Sequence, residues 1–261
     1  MKRILTASLV IPPLLLFFTY GPPYALWLII SVVSFLGLME FNTLTSGKGR
    51  WLWALLGTGI CPFFQWGEGL WVIFPLALLL VAISSTSLFL FPQDKEAFPQ
   101  GALIFGGICY IPFLLSHLLL LNNLYGKGWI LMLIGSVWVG DTLALVVGTL
   151  WGRHPLYPQV SPKKTKEGAL ACLAGVVAMV LIFRPFLSPL LSVGQGLLLA
   201  TGISFFAQLG DLFESMLKRR AGVKDSGGLI PGHGGMLDRL DSFLFSAPFL
   251  FYFLHLFRVE G

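Results

Sequence analysis

Charge is what this sequence has least of. Only 29 of its 261 residues (17 basic, 12 acidic) are charged, or 11%. A soluble globular chain carries ~25% charged residues, so this one cannot clothe itself against water. Intrinsic disorder is excluded by the 56% hydrophobic content. With three cysteines there is no disulfide scaffold. Cys61, Cys109 and Cys172 fall in separate apolar runs without metal-ligand spacing, and read as small buried hydrophobes. No GxxxxGK(S/T), HExxH or GxSxG pattern occurs. Internal repeats are not evident, and no long hydrophilic stretch leaves room for a soluble nucleotide-binding domain. The ~10-residue alternation of a membrane barrel is missing too.

What is present is apolar sequence, with a mean hydropathy of +0.83. A spanning helix needs ~20 apolar residues. The runs predict an all-α, polytopic integral membrane protein with nine spans, at roughly 4–20, 24–44, 51–67, 69–91, 101–121, 129–151, 168–187, 195–215 and 240–258. The third is interrupted by Gly57, Gly59 and Pro62, and is expected either to span or to pair with the fourth as a re-entrant hairpin. Met1-Lys2-Arg3 ahead of an apolar run resembles a signal peptide, but no A-x-A site follows, so a retained first span is expected. With the N-terminus in the cytoplasm, fourteen of the seventeen basic residues fall on the inner side. That is the asymmetry of the positive-inside rule, and it orients the charged loops toward the cytoplasm; the membrane is expected to be the cell's inner or plasma membrane. Residues 1–128 read as a scaffold region, and 129–261 as the region carrying the chemistry.

The few charges are not spread evenly. Residues 211–241 hold ten of them: Asp211, Glu214, Lys218, Arg219, Arg220, Lys224, Asp225, Asp238, Arg239 and Asp241. On a helix, Asp211, Glu214, Ser215 and Lys218 share one face, and so do Asp238, Asp241 and Ser242. If the two helices are neighbours, three aspartates converge. Carboxylate oxygens suit Mg2+, which binds through one or two carboxylates plus substrate phosphates. Between the helices lie four cations and then five glycines within 227–235. Glycines let backbone N–H groups approach phosphate oxygens. Cations, metal ligands and a glycine-rich turn together suggest a polyphosphate site. Lys218–Arg220 alone could equally hold topology against anionic headgroups. That leaves Asp238 and Asp241, at the start of an apolar helix, unexplained.

Asp141 is the second anomaly, in the middle of an apolar run. An intramembrane carboxylate points to function, against a bland role paired with Arg184 or capped by Thr142. The following loop, Ser161-Pro-Lys-Lys-Thr-Lys-Glu-Gly168, reads as a basic loop opening a helix, with Thr165 or Ser161 as N-cap. His117 and His255 sit in apolar helices and read as packed or interfacial.

Ser215-x-x-Lys218-Arg219, Lys224-Asp225 and His233-Gly-Gly235-x-x-Asp238-Arg239-x-Asp241-Ser242 closely resemble the signature of the CDP-diacylglycerol synthases, or phosphatidate cytidylyltransferases. Gly-Asp141-Thr, followed by Ser161-Pro-x-Lys164-Thr165-x-Glu167-Gly168, is similar to that family's second stretch. The resemblance covers about residues 135–245 in motif detail, and Leu145 stands where the family often has an aromatic nearby. It implies attack of phosphatidic acid's phosphate on the α-phosphorus of CTP, giving CDP-diacylglycerol and pyrophosphate. On that reading Asp211, Asp238 and Asp241, with Asp141 as a fourth, hold Mg2+. Lys218 joins the three aspartates as catalytic, and with Arg219, Lys224 and Arg239 takes phosphates. Ser161, Lys164 and Thr165 bind substrate from the other loop, and His233, Gly234 and Ser242 complete the binding set. The resemblance also leaves room for a monovalent cation such as K+, and implies a homodimer.

Two other readings stay open. A CTP-dependent polyprenol or lipid kinase would use similar parts but move the γ-phosphoryl group. An ion-coupled transporter would place charges at the midplane of several spans. Nucleic acid is not an expected partner, because the cations lie at a membrane face.

Overall fold

The computed structural model describes residues 20–22, 24–47, 50–67, 73–188, 191–228 and 234–259. The first expected span therefore lies almost wholly outside the described residues, as does His233. The chain divides into two compact units: one of Met1–Leu119 with Asp225–Arg239, the other of Leu120–Lys224 with Leu240–Gly261.

The first unit contains α1 (Ala25–Ser46), α2 (Trp51–Thr58), α3 (Cys61–Trp66), α4 (Phe74–Leu90) and α5 (Ala97–Ile108). The third expected span is thus two short helices, of 8 and 6 residues. The break falls at Gly59 and Ile60, and Pro62 sits in the first turn of the next helix, where its missing N–H costs nothing. After α5 a π-helical turn, Cys109–Phe113, takes up Pro112 before α6 (His117–Tyr125) resumes. The apolar helical stretch Ala97–Tyr125 is continuous enough to be a single candidate span. His117 is buried, its Nδ1 3.0 Å from the Phe113 carbonyl and its ring against Phe64 and Phe113.

The second unit is built on α7 (Lys127–Trp151), a hairpin of β1 (Pro155–Tyr157) and β2 (Ser161–Thr165), α8 (Lys166–Leu187), α9 (Val193–Arg220) and most of α10 (Leu237–Leu256). α7 and α8 pack along a seam of small residues. Gly140 lies under Cys172 and Val176, and Gly148 approaches Gly168. In lipid such residues let helix backbones come close, which supplies the packing that burial from water cannot. α9 starts at a capping box, Ser192 Oγ accepting from Gln195 N and Gln195 Oε1 from Ser192 N. It ends on Lys218, Arg219 and Arg220, where cations suit the negative end of the helix dipole. Gly222, at φ 71°, then turns the chain.

Among the described residues five helical stretches are long and apolar enough to cross a membrane: Ala25–Ser46, Ala97–Tyr125, Lys127–Trp151, Lys166–Leu187 and Val193–Arg220. The protein is a helical integral membrane protein.

Candidate active site

The second unit gathers four carboxylates. Asp141 comes from α7, Asp211 and Glu214 from α9, and Asp241 from α10. Asp241 lies within electrostatic range of Asp211, Glu214 and Asp141, and Asp141 within range of Asp211 and Lys164. The approach of α9 to α10 that makes this so depends on Gly210. A Cβ there would lie 3.2 Å from the carbonyl carbon of Asp241, 3.6 Å from Ser242 Cα, and closer still to the Asp241 carbonyl oxygen. The bland roles for Asp141 dissolve: Arg184 donates to the Leu191 carbonyl, and Thr142 Oγ donates to the Trp138 carbonyl at 2.7 Å.

Two lysines answer these acids. Lys164 of β2 is ion-paired with Asp211, and Lys218 with the fully buried Glu214. The stretch read as a generic basic loop is therefore a hairpin that carries Lys164 to α9. A second tether holds it there, since Arg219 Nε donates to the Val160 carbonyl at 3.2 Å. The spacings match. Asp211 and Arg219 are eight residues apart on a helix, roughly 12 Å. Val160 and Lys164 are four residues apart along an extended strand, roughly 13 Å. At the hairpin's base Thr165 caps α8 as expected, its Oγ1 accepting from Gly168 N at 3.1 Å. Glu167 closes the other side, accepting from Arg153 N, His154 N and His154 Nδ1. Ser161 pairs with Tyr157 in the hairpin, Lys224 is exposed after α9, and Ser242 is buried on α10.

The remaining residues of the expected set belong to the first unit. Asp238 Oδ2 accepts from Ser226 N at 2.9 Å and Gly235 N at 2.8 Å, and lies 2.9 Å from Ser226 Oγ. Gly234, at φ 77°, sits over that carboxylate, and a Cβ there would lie 2.7 Å from Oδ2. Arg239 is exposed at the start of α10. One participant escaped the sequence reading. Glu40 of α1 accepts from Ser226 Oγ, Met236 N and Leu237 N, each at 2.8 Å. The signal was there, since Glu40 is the one charged residue in Ala25–Ser46. Gly235 N, with the Ser226, Met236 and Leu237 N–H groups that flank the glycine-rich stretch, is thus taken by the protein's own carboxylates.

Oxygen donors and net charge in the second unit fit a hard divalent cation. By formal charge, four carboxylates outnumber two ammonium groups in the cluster, a surplus that a divalent cation would offset. Among the described residues no three acidic, histidine or cysteine side chains stand together at ligating spacing.

A helical membrane protein that concentrates acids, lysines and a basic hairpin in one cluster is equipped for a polyanionic substrate. The chain belongs to the cytidylyltransferase family, whose model matches residues 1–257. It is 37% identical over 179 residues to the phosphatidate cytidylyltransferase of Thermotoga maritima, covering 67% of this chain and 66% of that protein. The phosphatidate cytidylyltransferase of Bacillus subtilis is 36% identical over 215 residues, 79% of this chain and 76% of that protein. An uncharacterised Escherichia coli protein, YnbB, is 37% identical over 249 residues, 90% of this chain and 80% of its own length.

Proposed function

We infer that the chain is a phosphatidate cytidylyltransferase. It transfers the cytidylyl group of CTP to phosphatidate in phospholipid biosynthesis. An oxygen of the phosphatidate phosphate bonds to the α-phosphorus of CTP, the bond from that phosphorus to the bridging oxygen breaks, and the electron pair leaves with pyrophosphate. The observation that carries this reading is the carboxylate and lysine cluster of α7, β2, α9 and α10, in a chain of this family.

A phosphate monoester is largely ionised at neutral pH, with a second pKa of ~6, so the nucleophile needs no strong general base. The obstacle is repulsion between two polyanions, and positioning with charge stabilisation supplies most of the catalysis. Lys164 and Lys218 are paired with Asp211 and Glu214. In this proposal their ammonium groups turn to substrate phosphates as the polyphosphate arrives. Asp211 and Asp241 would hold Mg2+, with Asp141 as a further ligand; Asp238 joins that set only through the signature shared with the family. When bound, the ion neutralises charge on the phosphates. Arg219 keeps the hairpin against α9, so that Lys164, Ser161 and Thr165 stay beside the reacting groups. Lys224, His233, Gly234, Arg239 and Ser242 complete the proposed substrate contacts through the signature they share with the family.

The nine-span topology, with the N-terminus and the active-site loops cytoplasmic, is supported by the distribution of basic residues. A homodimer and a monovalent cation are supported by the family resemblance. The direct test incubates purified protein in detergent with CTP, phosphatidate and Mg2+. CDP-diacylglycerol and pyrophosphate in equal amounts are expected. Absence of the liponucleotide from active preparations contradicts the reading.

A further inference from the structure

Glu40 lies in the sixteenth position of a 22-residue apolar helix, far in sequence from every motif of the family signature. Its carboxylate is nonetheless filled. Oε1 accepts from Met236 N, and Oε2 accepts from both Leu237 N and Ser226 Oγ. Met236 and Leu237 open α10, so their N–H groups have no carbonyl partner within their own helix. A carboxylate there satisfies two orphan donors and places negative charge at the positive end of the helix dipole. Glu40 is a long-range cap for α10.

The glycines around it follow from the same contact. A Cβ on Gly227 would lie 2.5 Å from Glu40 Oε1, and a Cβ on Gly235 would lie 2.6 Å from its Cδ. A side chain at either position would displace the carboxylate from the space between them. Ser226 Oγ also stands within hydrogen-bond distance of both Glu40 Oε2 and Asp238 Oδ2, at 2.8 and 2.9 Å. One hydroxyl therefore links the carboxylate from α1 to the aspartate of the signature.

We propose that Glu40 is a positioning residue for cytidylyl transfer, one that holds Ser226 and the start of α10, Gly235–Asp238, in the arrangement in which Asp238 and Arg239 meet substrate. The inference rests on the functional reading above. It assigns a role in the reaction to the N-terminal helices, and it gives Gly227 and Gly235 a role other than approach to phosphate.

The test uses the full chain in detergent, as Glu40→Gln and Glu40→Asp. Glutamine keeps the size but turns an amide N–H2 toward backbone donors, whereas aspartate keeps the charge on a shorter arm. Hydrogen exchange of the 225–239 amides should quicken at least about tenfold in Glu40→Gln, with the amides of α7 and α8 unchanged. The kcat of the folded variant should fall on the order of 10–100-fold, as for loss of an outer contact that orients a ligand, and Glu40→Asp should recover most of it. Unchanged exchange in 225–239 overturns the proposal. So does a normal kcat per folded molecule, which is the result expected of a purely structural cap. If Glu40→Gln does not fold, the same two readouts on Ser226→Ala decide, with the same expectations. A wild-type protein without cytidylyl transfer would sink the functional reading. The exchange experiment would still report whether Glu40 orders the loop.

Discussion

Gly210→Ala is the sharpest perturbation of the site, because it adds one methyl group and removes no functional atom. The new Cβ would point at the backbone of Asp241 and Ser242, which cannot rotate away as a side chain could. A carbon and a carbonyl oxygen in contact sit at ~3.3 Å, so relief requires α9 and α10 to part by on the order of 1 Å. Overpacking of this kind costs about 1–3 kcal/mol of stability. The larger effect is on chemistry, since a displacement of ~1 Å can lower a rate by about 100-fold. Asp211 is the next residue on α9 and Asp241 is the contact itself, so the displacement falls on the acidic cluster. The assay is kcat for CDP-diacylglycerol formation, with Gly106→Ala as control, because a Cβ at Gly106 meets nothing within 4 Å. A Gly210→Ala enzyme that turns over within about threefold of wild type would refute this account of the site's assembly.

Other consequences can be read from the same cluster. Asp211→Asn and Asp241→Asn should each lower turnover by at least about 100-fold, the scale of losing a charge-stabilising group, with unchanged elution on size-exclusion chromatography. More than a tenth of wild-type activity in both would remove the metal proposal. Thr165→Ala deletes the cap of α8, worth about 1 kcal/mol, and should lower Tm by about 2–4 °C. Arg219→Ala releases the hairpin from α9, and should raise the KM for CTP about tenfold, the scale of a hydrogen bond from a charged group, with a smaller change in kcat.

The helices were legible where composition alone decides. Expected spans at 129–151 and 168–187 are close to Lys127–Trp151 and Lys166–Leu187, because a long apolar run has few other ways to satisfy its backbone in lipid. The broken stretch at 51–67 was announced by Gly57, Gly59 and Pro62. The β-hairpin was not, since Ser161-Pro-Lys-Lys-Thr165 has no apolar alternation to mark a strand. Within the site, helical spacing placed Asp211, Glu214 and Lys218 on one face, and Lys218 does pair with Glu214 four residues earlier. The pairing of Lys164 with Asp211 depends on tertiary packing, which no local pattern encodes. Glu40 stands out as the one charge in its apolar helix, but its partners do not, with Met236 and Leu237 lying 196 and 197 residues away.

Which phosphorus of CTP reaches the lipid decides the central claim. Purified protein, phosphatidate and Mg2+ should be incubated in parallel with CTP labelled at the α-phosphorus and with CTP labelled at the γ-phosphorus. The account predicts α-label in a chloroform-soluble liponucleotide and γ-label in aqueous pyrophosphate. Label from the γ position in the lipid phase, with α-label left in CDP, would contradict it and identify a kinase.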